Sequence, residues 1–412
     1  MRGNQVLRPF PIVTPALSLA PALSLALALS LALALTLTLA AAVPMAAAST
    51  SATAETATAD LPSSFMIGDV PLWQQLDASG CGAASAQMVM DYWGPFIDQR
   101  EVYAAARTGR GSDPFTAVGT AVPDLARAGH FSFMSETAGD AYDISAWGYT
   151  GRPLGHGAFY YGLESGASED EVLRWLDQLK AIVAAGYPVV CLTDWTLEYP
   201  GYHYRVVVGY DDTKGVLYFN DPWVRWFTED MSARGCFVPS KAASQQYSFE
   251  PMEWSYEDWL SVWDAPGDLW GLPGWSYNAV LIAPWEVEIE APAAVAAGET
   301  FEVRATVTYP CLEPFATGDW PAFPASATTI ALALPDGWSI VGAAEAAIGE
   351  FEAGASAEAT FTVTAGPGAG EFALGATGSG LVSGSLEQRA QFPAYGYTDL
   401  IGGSDEVTIL VE

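Results

Sequence analysis

The stretch of the chain that most constrains its fold covers residues 74–94, with the sequence QQLDASGCGAASAQMVMDYWG. Small and polar residues lead up to Cys81, and good helix formers follow it until a Gly-Pro pair supplies a stop signal. Ala84, Met88 and Tyr92 recur every four residues and predict one apolar helix face. The pattern therefore predicts a loop that delivers Cys81 to the start of a helix.

A cysteine at the start of a helix lies beside unpaired backbone N–H groups and the positive end of the helix dipole. Both stabilise a thiolate, which is the nucleophilic form. Gln75, six residues upstream, is placed to donate a hydrogen bond from its side-chain amide to an oxyanion that forms near Cys81. The alternative is a buried structural cysteine beside a solvated glutamine. A catalytic interpretation therefore requires that the chain also supplies a base.

The chain contains three histidines, His130, His156 and His203, and only His203 begins a β-like run. A second run, 216–220, follows after the hairpin signal Asp-Asp-Thr-Lys-Gly. With a three-residue turn, the register sets His203 opposite Asp221, about 5 Å away, where a carboxylate can orient an imidazole. A different register moves Asp221 by one place. The alternative for His203 is a half-buried surface histidine.

The 412 residues suffice for two or three domains, and their formal net charge is -32. Nucleic acid and anionic membrane surfaces are therefore poor partners, and no nucleic-acid partner is expected, because phosphate binding needs clustered Lys and Arg. An acidic surface is more often a feature that promotes solubility or suits a high-salt environment than a sign of a cationic substrate.

The cysteine and histidine spacings indicate no metal site and no cofactor, since no CxxC or His-rich motif is present. Cys191 lies in the apolar run VVCL and is expected to be a buried, inert thiol. Cys236 and Cys311 form a possible disulfide, while Cys81 must stay free if it is the nucleophile.

Residues 1–48 contain no Asp or Glu and have the shape of a signal peptide, with two arginines before an apolar tract that ends in Ala46-Ala47-Ala48. Residues 49–64 follow as a linker. The sequence therefore predicts a secreted, extracellular protein. Residues 22–42 carry no charge and no proline, so an uncleaved membrane anchor is the alternative.

Residues 65–285 mix helix and strand signals. Capping patterns predict helices over 98–107, over 122–128 with Gly129 as the C-cap, and over 168–184. β-like runs cover 188–195, 203–210, 216–220 and 278–283. Residues 130–167 show no clear period and predict an irregular insertion. The aromatic-rich stretch 224–285 is interpreted as core, with a substrate-binding wall as the minority alternative.

Residues 286–412 change to short alternating runs separated by turn clusters, which predicts an antiparallel β-sandwich similar to immunoglobulin-like accessory modules. This segment contains no histidine and a single cysteine. We expect a spacer or a cell-surface or glycan contact, not catalysis, and we expect that its removal leaves catalysis intact.

Residues 65–285 resemble the C39-like branch of the papain-like cysteine peptidases, which includes the bacteriocin-processing domains. The motifs that carry the resemblance are Gln75, Cys81-Gly82-Ala83-Ala84-Ser85 with Tyr92-Trp93-Gly94, Tyr202-His203-Tyr204, Val206 to Asp211, and Asn220-Asp221-Pro222-Trp223. Many relatives have proline at the position of Ala83. The resemblance implies an α+β papain-like fold, a helix packed on an antiparallel sheet, followed here by the all-β sandwich.

The resemblance also implies roles for four residues: Gln75 in the oxyanion hole, Cys81 as nucleophile, His203 as base and Asp221 as the residue that orients it. The resulting prediction is an exported, monomeric cysteine peptidase that acts on a peptide or protein. Because the chain is predicted to be exported, a cytosolic double-glycine leader is not the expected substrate. Two alternatives remain, an inactive C39-like binding or adhesion module and a transglutaminase-like or NlpC/P60-like acyl transferase.

Overall fold

The computed structural model describes residues 61–109, 119–132, 152–198, 201–223, 251–268, 271–315, 320–389 and 392–412. The predicted signal peptide, most of the predicted linker and residues 224–250 of the aromatic-rich stretch lie outside these ranges. Within the ranges, no helix combines the length and the hydropathy that crossing a bilayer requires.

Five helices lie within the described residues: α1 Cys81–Trp93, α2 Gln99–Ala105, α3 Val122–His130, α4 Glu169–Ala184 and α5 Tyr256–Trp263. The predicted helix that begins at Cys81 is confirmed. The predicted capping box of α4 is also confirmed, because Ser168 N donates to Glu171 Oε2 at 2.8 Å and Glu171 N donates to Ser168 Oγ at 3.4 Å.

The predicted C-cap at Gly129 is wrong, because α3 continues through His130 and is capped at Phe131. Gly129 instead allows close approach of this helix to the sheet. A Cβ atom at this position would collide with Ala158 and Ile282 on two neighbouring strands. The glycine therefore serves helix–sheet contact and not termination.

An antiparallel sheet forms the centre of the first domain, in the order β2-β7-β3-β4-β5-β6, with β1 paired to the far end of β4. Its strands are β1 Ser64–Met66, β2 Gly157–Glu164, β3 Val189–Asp194, β4 Tyr202–Asp211, β5 Val216–Asn220, β6 Met252–Ser255 and β7 Trp275–Ala283. The prediction of an irregular insertion over 130–167 is wrong for β2, which pairs with β7. Residues 133–151 of that insertion lie outside the described ranges.

Both faces of this sheet are buried. Val190 and Leu192 belong to the core on the side of α1 and α3. Val189 and Cys191 alternate with them and belong to the core on the side of α4 and α5. Strands buried on two faces read as continuous apolar runs, which explains the sequence VVCL and the inert environment predicted for Cys191.

Residues after Trp285 form a β-sandwich of a four-stranded sheet, β12-β14-β10-β8, and a five-stranded sheet, β13-β11-β15-β16-β9, counted over the described ranges. The strands are β8 Glu286–Glu290, β9 Ala294–Val295, β10 Thr300–Thr308, β11 Ala325–Ala333, β12 Ser339–Val341, β13 Glu345–Phe351, β14 Ser356–Thr364, β15 Gly370–Leu386 and β16 Tyr395–Val411. Burial alternates residue by residue along β10, as the sequence pattern predicts for a sandwich strand.

The two domains share one continuous apolar core. Trp285 packs against Tyr309, which in turn packs against Phe159 of β2, with ring centroids 5.1 and 5.5 Å apart. The hairpin of β15 and β16 also reaches back to α3, where Arg127 and Asp399 form a fully buried ion pair at 3.3 Å. The sandwich is therefore an integral part of the fold and is not joined to it only by a tether.

Candidate active site

The loop that precedes α1 is organised by Asp77. Its Oδ1 atom accepts hydrogen bonds from Ser79 N at 2.9 Å and from the hydroxyl of Tyr103 on α2. Gly80 is the N-cap residue, and a Cβ atom there would collide with the Tyr103 hydroxyl. A glycine is required at this position so that α2 can close against the loop and fix the start of the helix.

Cys81 is the first residue of α1 and is 8% exposed. The N-cap Gly80 offers no side-chain hydrogen bond, and the first turn contains no acidic residue. The first N–H groups of the helix are therefore left without the side-chain acceptor that commonly occupies a helix start. This arrangement favours negative charge at the sulfur and beside it.

His203 and Asp221 lie together next to Cys81. His203 Nε2 is 2.7 Å from Asp221 Oδ1, and the Cys81 side chain interacts with the same imidazole and raises its pKa. Because Asp221 occupies Nε2, the nitrogen left for the thiol is Nδ1. Both His203 and Asp221 are buried, with 3% and 8% exposure. The structure therefore brings three of the four predicted residues into direct contact.

The charges around His203 set its protonation. Burial lowers the pKa of His203, and the nearby Arg205 lowers it further, but the Asp221 carboxylate and the Cys81 side chain outweigh them and raise this pKa above its usual value. Burial raises the pKa of Asp221, whereas His203, Arg205 and Trp223 N lower it, with a net value of about 2. Asp221 is therefore an ionised carboxylate at neutral pH.

The predicted hairpin register is wrong, although the predicted contact between His203 and Asp221 forms. The β4–β5 pairing is Asp211 with Val216 and Val206 with Asn220, and it shifts between Val207 and Gly209. Continued by one pair, this register sets Asp221 opposite Arg205 and not opposite His203. Residues two apart on a strand share a face, so a carboxylate opposite Arg205 reaches His203 diagonally.

Arg205 is the site residue that the sequence interpretation missed. Its Nε donates to Asp221 Oδ2 at 2.9 Å, and its Nη1 donates to Asp194 O at 2.9 Å and to Thr193 Oγ1. Its Nη2 donates to Trp195 O. The signal for Arg205 was a single arginine within the otherwise apolar run of β4, two residues after His203.

Trp195, which follows β3, is a second residue that the sequence interpretation missed. Its ring stacks on His203 with the centroids 6.1 Å apart and an angle of 20° between the planes. It also packs edge-on against Trp223 at 5.0 Å. Trp195 is 41% exposed, so its ring contacts the buried His203 and also reaches solvent.

Gln75 lies beside the same group of residues. Its backbone N donates to Pro222 O at 3.0 Å, which ties the loop to the residue after Asp221. One hydrogen of its side-chain amide goes to Asp77 O at 2.7 Å, and an amide nitrogen carries two hydrogens. Within the described residues, its buried Oε1 has no hydrogen-bond partner. Gln75 is therefore fixed in place with one N–H available.

Gln99 of α2 supports this loop from behind. Its Oε1 accepts from Leu76 N at 2.8 Å, and its Nε2 donates to Gln74 O at 3.1 Å. Gln99 is itself buried. Two adjacent helices, α1 and α2, thus hold the loop that carries Gln75.

The other histidines and cysteines of the described residues, namely His130, His156, Cys191 and Cys311, take no part in these contacts. His130 contacts the Tyr397 hydroxyl of β16, and burial lowers the pKa of both His130 and His156. Burial raises the pKa of Cys191 and of Cys311. Cys311 is a free thiol within the described residues, and Cys236 lies outside them, so the disulfide between these two residues stays a prediction. Among the described residues, no cluster of His, Cys, Asp and Glu could hold a metal ion.

Family models match both domains. Residues 67–249 match the peptidase C39 like family, and residues 322–377 match the NPCBM-associated, NEW3 domain of alpha-galactosidase. Among curated protein sequences, none matches the chain.

Solved structures with similarity include the peptidase domain of Streptococcus ComA, a bi-functional ABC transporter involved in a quorum sensing pathway. The identity is 16% and the TM-score 0.28, over 52% of this chain and 98% of that one. The alpha-2-macroglobulins of Salmonella and E. coli match at 21% and 22% identity, with TM-scores of 0.21 and 0.22. Those matches cover 33% and 35% of this chain, which spans 7% and 8% of their length.

The first domain has the α+β fold of the papain-like cysteine peptidases, with α1 packed on an antiparallel sheet. Within that class, the match of residues 67–249 is to the peptidase C39 like family, and the match within the sandwich that follows is to the NEW3 domain. The resemblance predicted from the sequence motifs is confirmed.

Proposed function

We propose that the protein is an exported cysteine peptidase that hydrolyses peptide bonds. Cys81 is the nucleophile, His203 the general base and acid, Asp221 the residue that orients His203, and Gln75 a donor to the oxyanion. We further propose residues 1–48 as signal peptide, 49–64 as linker, 65–285 as the catalytic domain and 286–412 as the sandwich.

The observation that carries this proposal is that His203 interacts with Cys81 and is held by Asp221, with 2.7 Å between Nε2 and Oδ1. A nucleophile next to a base, and a base held by a third group, is the geometry that nucleophilic catalysis requires. The uncapped helix start and the available Gln75 N–H supply donors for the oxyanion.

In the proposed mechanism, the Cys81 proton passes to His203 and the thiolate attacks the carbonyl carbon of the substrate. A C–S bond forms, and the oxyanion accepts hydrogen bonds from Gln75 Nε2 and Cys81 N. The C–N bond then breaks as His203 returns the proton to the leaving amine. Water, deprotonated by His203, cleaves the thioester and regenerates the Cys81 thiol.

The proposal is tested with the full-length protein, a thiol-directed inhibitor and a mixture of unstructured peptides analysed by mass spectrometry. We expect Cys81→Ala to abolish both labelling and cleavage, while Cys191→Ala and Cys311→Ala preserve them, because burial raises the pKa of those two thiols. Labelling that persists in Cys81→Ala would mean that another cysteine is the reactive one.

The same experiment separates the two alternatives. An acyl transferase would join an added primary amine to the new carboxyl end of the product, whereas a peptidase gives the free acid. An inactive binding module would give no cleavage with any peptide, even if Cys81 is labelled. The proposed substrate is a peptide or protein. A glycan or cell-surface contact through the sandwich is a separate proposal.

A further inference from the structure

Arg205 lies behind the proposed catalytic group and has no part in the mechanism above. It is one of only 16 basic residues in the chain and is 2% exposed. Because burial of a charged group costs free energy, its hydrogen bonds must be satisfied. All three guanidinium nitrogens are engaged: Nε by Asp221, Nη1 by Thr193 and Asp194, and Nη2 by Trp195. Four contacts from one side chain make Arg205 the link between β5 and β3.

These contacts act on His203 from two directions. Asp221 Oδ2 is held by Arg205, which leaves Oδ1 facing His203 and Trp223 N at 2.7 and 2.8 Å. The carboxylate therefore cannot rotate about its Cβ–Cγ bond without losing a hydrogen bond. On the other side, Arg205 holds the carbonyl of Trp195, whose ring stacks on His203.

The Arg205 side chain is itself fixed by aromatic rings. The guanidinium carbon lies 4.6 Å from the centre of the Trp254 ring and 5.6 Å from that of Phe219. A planar guanidinium stacks on such rings and keeps its donors in one plane. An ammonium group has neither the shape nor the donor directions to reproduce this arrangement.

We propose that Arg205 is a positioning residue of the peptidase reaction, which fixes Asp221 and Trp195 against His203. This inference rests on the proposed function of the site. It predicts that the geometry of the guanidinium, and not only its positive charge, is required for turnover.

The decisive variant is Arg205→Lys, which keeps the charge but loses the fork of donors. We expect kcat/KM for a cleaved peptide to fall about 10²-fold, mostly in kcat, since an imidazole displaced by about 1 Å loses that much. The limb of the pH profile that reports His203 should also move to lower pH, because a displaced Asp221 carboxylate raises the pKa of His203 less. Both are measured at a temperature at which the variant is fully folded.

The matched control is Arg127→Lys. Arg127 is also a buried, ion-paired arginine, and its partner is Asp399 of the sandwich. We expect this control to lose stability and to keep the wild-type pH profile. Equal losses of activity in the two variants, or a wild-type profile in Arg205→Lys, would overturn the proposal.

A milder pair of variants covers the case in which Arg205→Lys does not fold. Thr193→Val removes the hydroxyl that accepts from Arg205 Nη1 and donates to His203 O at 3.1 Å, and Thr193→Ser retains it. We expect a smaller loss of kcat in Thr193→Val and none in Thr193→Ser; unchanged kcat in both would contradict the role of Arg205.

The two proposals fail in different ways. A wild-type protein that cleaves no peptide refutes the proposed peptidase function. An active wild type whose Arg205→Lys variant is equally active refutes only the positioning role. NMR spectra of the His203 ring add a readout that needs no substrate, because displacement of Asp221 would change the signal of the proton on Nε2.

Discussion

The Asp221 carboxylate makes three hydrogen-bonded contacts at this site. One oxygen contacts His203 and Trp223 N, and the other contacts Arg205. Opposite charges on two sides outweigh the cost of burying the carboxylate, which is why its pKa falls to about 2. The ionised carboxylate in turn raises the pKa of His203 in spite of burial.

The three histidines should therefore titrate very differently. We expect His203 to remain protonated above about pH 6.5, the ordinary histidine value. His130, with a pKa lowered to about 3, and His156 should stay neutral at that pH. Because the chain has only three histidines, ring ¹⁵N spectra recorded against pH can assign each one with single substitutions. A His203 signal that titrates below pH 6.5 would contradict the proposed pairing with Asp221.

Asp221→Asn tests the orienting role at the same scale. An amide can present N–H where the imidazole needs an acceptor, so the ring takes the wrong tautomer, and we expect kcat to fall by about 10²- to 10⁴-fold. The fall should exceed any change in the fraction of folded protein, measured by circular dichroism. Asp399→Asn, which also alters a buried, ion-paired carboxylate, is the matched control. Parallel losses of stability and activity in Asp221→Asn would mean a purely structural role.

At the scale of secondary-structure elements, α3 connects the two domains. Its Gly129 allows contact with the sheet, and its Arg127 forms the buried ion pair with Asp399 of β16. The Arg127 guanidinium also lies over the ring of Phe131, 4.5 Å from its centre. At the start of the helix, Asp124 pairs with Arg107 and with Arg389, the latter from the loop after β15. The helix is therefore held by charges on both sides of the domain boundary.

Breaking one half of the buried pair should destabilise the whole protein. We expect Arg127→Met to lower the free energy of unfolding by about 3–5 kcal/mol, because the buried Asp399 loses the opposite charge of Arg127. The double variant Arg127→Met/Asp399→Leu should recover most of this loss, since both charges are then gone. Urea denaturation measures both values. A single variant as stable as the wild type would show that the pair is not buried in solution.

At the scale of the whole molecule, the sandwich and the papain-like domain depend on each other. The core runs without interruption from Phe159 through Tyr309 to Trp285 and Phe351. Arg389 also donates to Gly119 O at 3.3 Å. The neighbouring Thr120 would meet any Cβ atom placed on Gly82, in the first turn of α1. The sandwich thus contacts the segment beside the proposed nucleophile.

Deletion of residues 290–412 should therefore abolish the folded state, contrary to the expectation from sequence that the sandwich is dispensable. The deletion exposes the apolar core around Trp285, removes Asp399 from Arg127, and removes the contacts that Asp124 and Arg107 make with the sandwich. Circular dichroism and limited proteolysis report the loss of fold. A compact truncated protein that still cleaves peptide would show that the domains are independent.

The pH dependence of stability is also a property of the whole chain. In the unfolded state each histidine binds a proton near pH 6.5. Folded His130 binds one only near pH 3, and His156 also stays neutral, so these two groups stabilise the fold fully above about pH 6.5 and progressively less as pH falls towards 3. His203 has the opposite sign, because its raised pKa adds stability below about pH 6.5 that is lost as pH rises through the folded pKa.

On acidification from about pH 7 to about pH 4.5, the two buried neutral histidines lower the free energy of unfolding, whereas Asp91, whose pKa burial raises to about 7, acts in the opposite direction. Urea unfolding at both pH values measures the change. His130→Gln should reduce the slope, and an unchanged slope in this variant would assign the acid sensitivity to other groups.

Much of the local structure could be predicted from the sequence because its causes are local. The start of α1 at Cys81, the capping box of α4 and the alternating strands of the sandwich follow from neighbouring residues and from periodicity. The resemblance in short motifs also led to the family and to four candidate residues, three of which the structure brings into direct contact.

What only the tertiary structure decided depends on contacts between distant parts of the chain. The irregularity between Val207 and Gly209 changes the register of β4 and β5, and a turn signal cannot report it. Arg205 becomes part of the site only because Asp221 lies opposite it, and Gly129 is recognisable as a contact point only once β2 is in place. The sequence by itself determined which residues could do the chemistry, because caps, periods and motifs are local. The fold decided which of them meet and that the sandwich shares the core of the first domain, because register and burial are set by the whole chain.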